Sequence, residues 1–236
     1  MKAIKQHIVQ RQHEFARHAF FRWLENSCDR DEVACALSQL AFWVASFQDV
    51  LAINESRVVD ARFREVARRH RAEDSGHDKW FFEDIHRLGM ATLTAEELFT
   101  KPLAPIRRAA YSLMSEVFRA NNDIARITLL LALESTGHIF FEATADWVER
   151  VAAHFKLKYF SHFHIEIERR HDLFERELEV FLDAIELGDA ERAECMAVVD
   201  RSYDAFILIF DTLLASITQV ANRRLRSVPQ VAMVAR

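Results

Sequence analysis

The residues best suited to chemistry in this chain are histidines and carboxylates that recur at helical spacing in three places. The sharpest is His164-x-x-x-Glu168-x-x-His171. At 3.6 residues per turn, positions i, i+4 and i+7 share a narrow stripe of one helix face. Two imidazoles and a carboxylate pointing the same way are what a first-row metal asks of a single helix, and they favour iron, manganese or zinc over calcium. The competing reading is a solvated face in a charged run, but Phe160, Phe163, Ile165 and Ile167 place apolar surface beside the stripe. A second cluster, RRHRAEDSGHDKW, holds His70, Glu73, Asp74 and His77. His70 and His77 are seven residues apart, and Asp74 stands at the i, i+3 carboxylate–histidine spacing used in helical di-iron sites. A break at Gly76 would spoil some of these alignments and leave a basic helix end. The third cluster is Glu134 with His138 inside ITLLLALESTGHIFFEA, with Glu142 one turn further on. A carboxylate after so many leucines faces solvent, is hydrogen-bonded, or binds a cation; an unpaired buried one is costly. Its apolar surroundings favour a buried, compensated Glu134. His138 reads equally as a ligand or as a hydrogen-bonded pocket residue.

The elements that must position these groups are helices. A first helix is expected from about Ile4 to Glu25, and a second from Val33 to Ile53, capped by Asp29 or Asp31. A third opens at Ser56, crosses the first histidine cluster and stops before Gly89, with Gly76 as a candidate kink. Thr94 with Glu97 forms a capping box for a short helix. Pro105 suits the first turn of a helix ending near Arg119. Asn121-Asn122-Asp123 caps a long apolar helix to about His154, another runs from about Lys158 to Leu187, and the last follows Gly188-Asp189 to about Arg224. The expectation is a single-domain, all-α bundle of seven to eight helices over residues 1–226, with a tail over 227–236.

Composition agrees. The 236 residues contain four glycines and three prolines, too few for the turns of a sandwich or barrel, and half are hydrophobic. Nineteen phenylalanines and four tryptophans imply an aromatic core; core filling accounts for most of them, and some could line a ligand cavity. A net charge of −5 gives no general case for nucleic acid or anionic membranes. Cys28, Cys35 and Cys195 are odd in number and form no C-x-x-C pair, which suits a reducing cytoplasm. The N-terminal MKAIKQHIVQRQHEF has no apolar signal core, and the apolar run Ile127 to Leu133 is too short to span a bilayer. The expected location is cytoplasmic.

Taken in order, these residues resemble the heme-oxygenase-like di-iron oxidases and oxygenases, a group related in fold to thiaminase II and pyrroloquinoline-quinone synthase. His77 corresponds to the group's early histidine, Glu134 to its mid-chain glutamate, and His164, Glu168 and His171 to its final H-x-x-x-(D/E)-x-x-H motif. The run HRAEDSGHDKWFFEDIHRLG and the segment His18-Ala19-Phe20-Phe21 are similar to patterns in such proteins, and the likeness spans about residues 13 to 185. The resemblance implies a heme-oxygenase-like bundle binding two iron ions, or one, through His70, Glu73, His77, Glu134, His164, Glu168 and His171. It implies O2 activation and oxidation of a small organic substrate, such as an amine, amino acid or fatty acid, and leaves homodimerisation open. The departure is His70, which stands where the group has a carboxylate, so Glu73 or Asp74 could replace it or one metal position is weakened. Three other readings share the fold. A thiaminase-II-like hydrolase needs a cavity cysteine, and none occurs between Cys35 and Cys195. A heme oxygenase needs a proximal histidine, for which His13 or His18 is available, and a glycine-rich distal helix, where only Gly137 is found. A metal-free oxidase like pyrroloquinoline-quinone synthase would use the histidines on an organic substrate. A non-enzymatic helical binding protein would use them only as surface.

Overall fold

The computed structural model describes the backbone of residues 1–169 and 180–227, with side chains within 1–167 and 180–218. The described residues form helices and no strand. In chain order these are α1 (Lys2–Phe15), α2 (Ala19–Asn26), α3 (Arg30–Ser38), α4 (Ala41–Arg57), α5 (Ala61–Glu73), α6 (His77–Arg87), α7 (Ala95–Leu98), α8 (Ala104–Arg119), α9 (Asp123–Trp147), α10 (His162–Arg169) and α11 (Asp189–Ser227). The all-α expectation holds, but each of the first three expected helices is divided in two.

Each division has a local cause. Between α1 and α2, His18 leaves the helical region at ψ 143° and its Nδ1 accepts the Phe20 N–H at 3.1 Å, capping a new helix. Between α3 and α4, Ser38 Oγ donates to the Cys35 carbonyl at 2.8 Å and the Gln39 side-chain amide reaches it at 3.4 Å. Those side chains occupy an acceptor that the continuing helix would use, and the two segments bend by 42°. Between α5 and α6, Gly76 adopts φ +91°, a conformation open to glycine at little cost. The expected caps at Asp29, Asn122 and Thr94 are all present, the last as a full capping box with Glu97.

The two longest described helices, α9 and α11, pack on each other and form the centre; α1, α2 and α8 pack on both. α9 continues through a π turn at Val148–Ala152 and a 3-10 turn at Ala153–Phe155. The stretch Asp123–Phe155 has the length and apolarity of a membrane span, but its apolar surface is what a central bundle helix needs on several sides at once. Aromatic rings fill much of the centre: Phe15, Phe20 and Phe21 meet Phe210 at centroid distances of 5.5, 4.9 and 5.0 Å. Buried Glu116 of α8 ties the bundle with a bidentate bond to Arg201 of α11, at 2.8 and 2.7 Å.

Gly76 is the hinge on which the site depends, since its turn separates the helix bearing His70 from the one that begins with His77. A Cβ there meets nothing within 4 Å, so the cost of substitution is backbone strain alone. Gly76→Ala should lower the unfolding free energy by about 1–2 kcal/mol, read from the urea midpoint, with helix content unchanged.

Candidate metal centre

The Gly76 turn does more than end α5. It leaves Asp74 at the helix C-terminus, where one carboxylate reaches both histidines: Oδ2 lies 3.2 Å from His70 Nε2 and Oδ1 lies 3.3 Å from His77 Nδ1. Gln48 of α4 donates to the Asp74 carbonyl at 2.9 Å and holds the turn against the bundle. Burial pushes the Asp74 carboxyl up, but the imidazoles of His70, His77 and His164 outweigh it and hold the group below the usual carboxylate range.

His164 completes the group. It is fully buried, and its Nε2 lies 3.1 Å from His77 Nδ1. Its Nδ1 lies 2.9 Å from the Tyr159 carbonyl, which only accepts, so Nδ1 carries the proton and Nε2 of the neutral ring carries the lone pair. His77 Nδ1–H is then the donor in the pair. Rings enclose both histidines: Trp80 stacks on His77 at 4.6 Å, and Phe141 lies 3.9 Å from His164. His70 approaches Glu134, with Nδ1 4.0 Å from Oε2.

Of the residues expected from sequence, His70, His77 and His164 therefore converge, and Asp74 rather than Glu73 is the carboxylate between them. Glu73 lines a separate, open cleft with Arg68, Arg69, His77 and Trp80. The expectation of a buried Glu134 is wrong: its side chain is 48% exposed, because this face of α9 looks onto the mouth of a cavity rather than into the packed centre. His138 is also exposed there and pairs with Glu142 at 3.2 Å. The side chain of Glu168, and His171 altogether, lie outside the described residues. His13 is exposed and His18 is engaged as a cap, its Nε2 3.2 Å from Asp211.

Sequence reasoning missed Asp84. This carboxylate is fully buried on α6 and accepts backbone N–H bonds from Lys158, at 3.0 and 2.9 Å, and from Phe160, at 3.2 Å. It thereby fastens the 157–161 turn to α6, and that turn presents the Tyr159 carbonyl that orients His164. Burial raises the Asp84 carboxyl pKa, and the backbone N–H bonds only partly offset it. The signal was legible: His77, Phe81, Asp84, Ile85 and Leu88 form one helical stripe that is apolar except for its carboxylate and its histidine.

The cavity beside the histidines lies between α4, α9 and α11 and has about 70 Å³ open to the centre of a water-sized sphere. At roughly 10–15 Å³ per water, that is room for about five waters or a small organic molecule. Trp43, Phe47, Phe140, Phe206 and Phe210 line it, with Phe141 and Tyr159 beside His164. No cysteine lines it among the described residues.

The donor set fits an ion bound through nitrogen and oxygen, of the iron, manganese and zinc type. With metal–nitrogen bonds of about 2.1 Å, two cis ligands sit about 3.0 Å apart, close to the separation of His77 Nδ1 and His164 Nε2. His70 Nε2 is buried without a hydrogen-bond partner, since its approach to Asp74 is poorly aligned. The groups are bonded to one another, however, and no three of the described side chains already stand in a metal-holding arrangement.

No family model and no curated protein matches the sequence. Solved structures do. A domain of unknown function with a heme oxygenase-like fold from Shewanella denitrificans aligns with TM-score 0.68 at 13% identity, over 93% of this chain and 94% of that one. A TenA homologue from Pyrococcus furiosus aligns with TM-score 0.61 at 13% identity, covering 90% and 98%. A TenA homologue from Pseudomonas syringae pv. tomato aligns with TM-score 0.63 at 14% identity, covering 91% and 92%. The chain has the heme-oxygenase-like all-α fold; at these identities the likeness is one of fold.

Asp84→Ala would strand the N–H groups of Lys158 and Phe160. The expected loss is about 3 kcal/mol of stability in urea unfolding, with Asp84→Asn recovering part of it because one acceptor remains.

Proposed function

We propose that this chain binds iron and uses dioxygen to oxidise a small organic molecule held in the aromatic cavity. The observation that carries the reading is the meeting of His70, Asp74, His77 and His164, from three separate helices, beside that cavity, which Asp74, His77 and His164 line. His70, Asp74, His77 and His164 would hold the metal, with Glu134 at the mouth and with Glu168 and His171 as further ligands. The full set of residues would hold two ions, or one if His70 leaves the first position incomplete. When bound, iron supplies dioxygen activation, which no side chain here can provide.

The chain's own residues do the rest. Tyr159 fixes the His164 tautomer through its carbonyl, so that Nε2 faces His77 with its lone pair. Asp74 orients His77 through the 3.3 Å approach of its Oδ1 to Nδ1. Phe141 and Trp80 exclude water from the histidine pair and lower the local dielectric, which strengthens those polar contacts. The aromatic walls hold the organic substrate next to the histidines.

A second reading has its own support. Asp74, His77 and His164 already form a connected chain of polar contacts, which could move a proton without metal. It would make the protein a metal-free oxidase or a binding protein.

Anaerobic ferrous titration with metal analysis separates the two. One to two irons per chain are expected, with an optical change on admitting O2. His164→Ala and His171→Ala should each weaken metal binding at least tenfold. Full retention of iron in both variants, or O2-dependent turnover that survives chelation, would overturn the iron reading.

A further inference from the structure

Gly137 lies in the interior of α9, the long central helix, where glycine is less stable than alanine because it must order a freer backbone. Nothing in its backbone requires glycine. Gly76 and Gly89 carry positive φ, at +91° and +87°, whereas Gly137 is an ordinary helical residue. Packing does not require it either. Apart from its own stretch of helix backbone, a Cβ at 137 would meet only the Phe141 ring, at 3.5 and 3.9 Å, which is ordinary van der Waals contact. Alanine would fit, and would favour the helix. What the missing side chain leaves is free space, since Gly137 lines the cavity on the same face of α9 as Leu133, Glu134 and Phe141. The place of this bare backbone matters. The Phe141 ring that borders it also lies 3.9 Å from the His164 ring. Gly137, Phe141 and His164 therefore form one continuous wall, from helix backbone to buried histidine. A side chain at 137 would stand on that wall and hold a ligand away from Phe141 and His164. In a cavity with about 70 Å³ open to the centre of a water-sized sphere, even one methyl group removes a substantial share of the room.

We propose that Gly137 is a positioning and size-selecting residue. Its bare backbone is the seat on which the apolar body of the ligand lies, against Phe141 and beside His164. Helix stability is given up at this one position so that the ligand can approach the backbone closely. The seat is distinct from the groups that meet at the histidines: a Cβ at 137 approaches none of His70, Asp74, His77 or His164 within 4 Å. The inference rests on the reading that this cavity holds the organic substrate, and it adds how that substrate is placed. It does not depend on a metal.

The test needs neither metal nor turnover. Fluorobenzene, a neutral probe small enough for the cavity, is titrated into the full chain and followed by fluorine NMR, with and without chelator. Gly137→Ala is expected to raise the urea midpoint, since alanine favours the helix and clashes with nothing. The same change should weaken fluorobenzene binding about five- to tenfold, and Gly137→Leu, which projects further into the same space, should abolish it. A residue that merely packed the helix would move stability and binding in the same direction. Unchanged affinity in Gly137→Ala would overturn the inference, and so would weaker binding accompanied by a lower urea midpoint. A native chain that takes up no fluorobenzene would overturn it as well. Gly137-dependent binding in a chain that takes up no iron leaves this inference standing and removes the iron reading. Iron uptake with Gly137-independent binding does the reverse, so the two fail separately.

Discussion

A single buried carboxylate holds the candidate site together. Asp84 sits where helix α6 would otherwise present only apolar side chains, and it takes the backbone N–H groups of Lys158 and Phe160. A loop entering the bundle interior brings polar backbone that must be satisfied. Without an acceptor at that point, the 157–161 turn could not lie against α6, and His164 would not be delivered to His77. The raised pKa of Asp84 shows which effect wins: burial of the charge outweighs the bonds it accepts. The carboxylate is thus kept at a cost to its own solvation, and the return is geometric.

The same economy governs the neighbouring turn. Gly76 adopts a positive φ, and the break it makes carries Asp74 between two histidines that a continuous helix would have placed on one face with Glu73. The interior polar groups are then joined in sequence: Gln48 to the Asp74 backbone, Asp74 to His77, His77 to His164, His164 to the Tyr159 carbonyl. Each link compensates the burial of the next, which is how a polar group of this size persists among phenylalanines.

Much of the fold could be read from residue patterns. The helix periods, the caps at Asp29, Asn122 and Thr94, and the scarcity of glycine and proline all pointed to the bundle that is found. His70, His77 and His164, which the structure brings together, were legible as candidates because histidine and carboxylate spacing is a one-dimensional signal. Glu134 was misread for a physical reason. The helix carrying it is apolar on most sides, and only the packing of α4 and α11 shows that one strip of it borders a cavity mouth. The helix divisions were missed where side chains such as Ser38 and His18 capture backbone groups, because their polar character does not announce which rotamer they take.

The sequence by itself determined that this chain is all-helical, that its interior is aromatic, and which histidines could serve a common centre. These follow from local periodicity and composition, which a linear pattern carries in full. The tertiary structure decided that Asp74 and not Glu73 joins the histidines, that Asp84 anchors the turn before His164, and that the cavity wall is acidic and aromatic. Those outcomes depend on the rotation of one helix against another and on a single backbone torsion at Gly76. Glycine at position 76 permits the torsion, but which carboxylate it brings to the histidines is settled only by the packing of the whole chain.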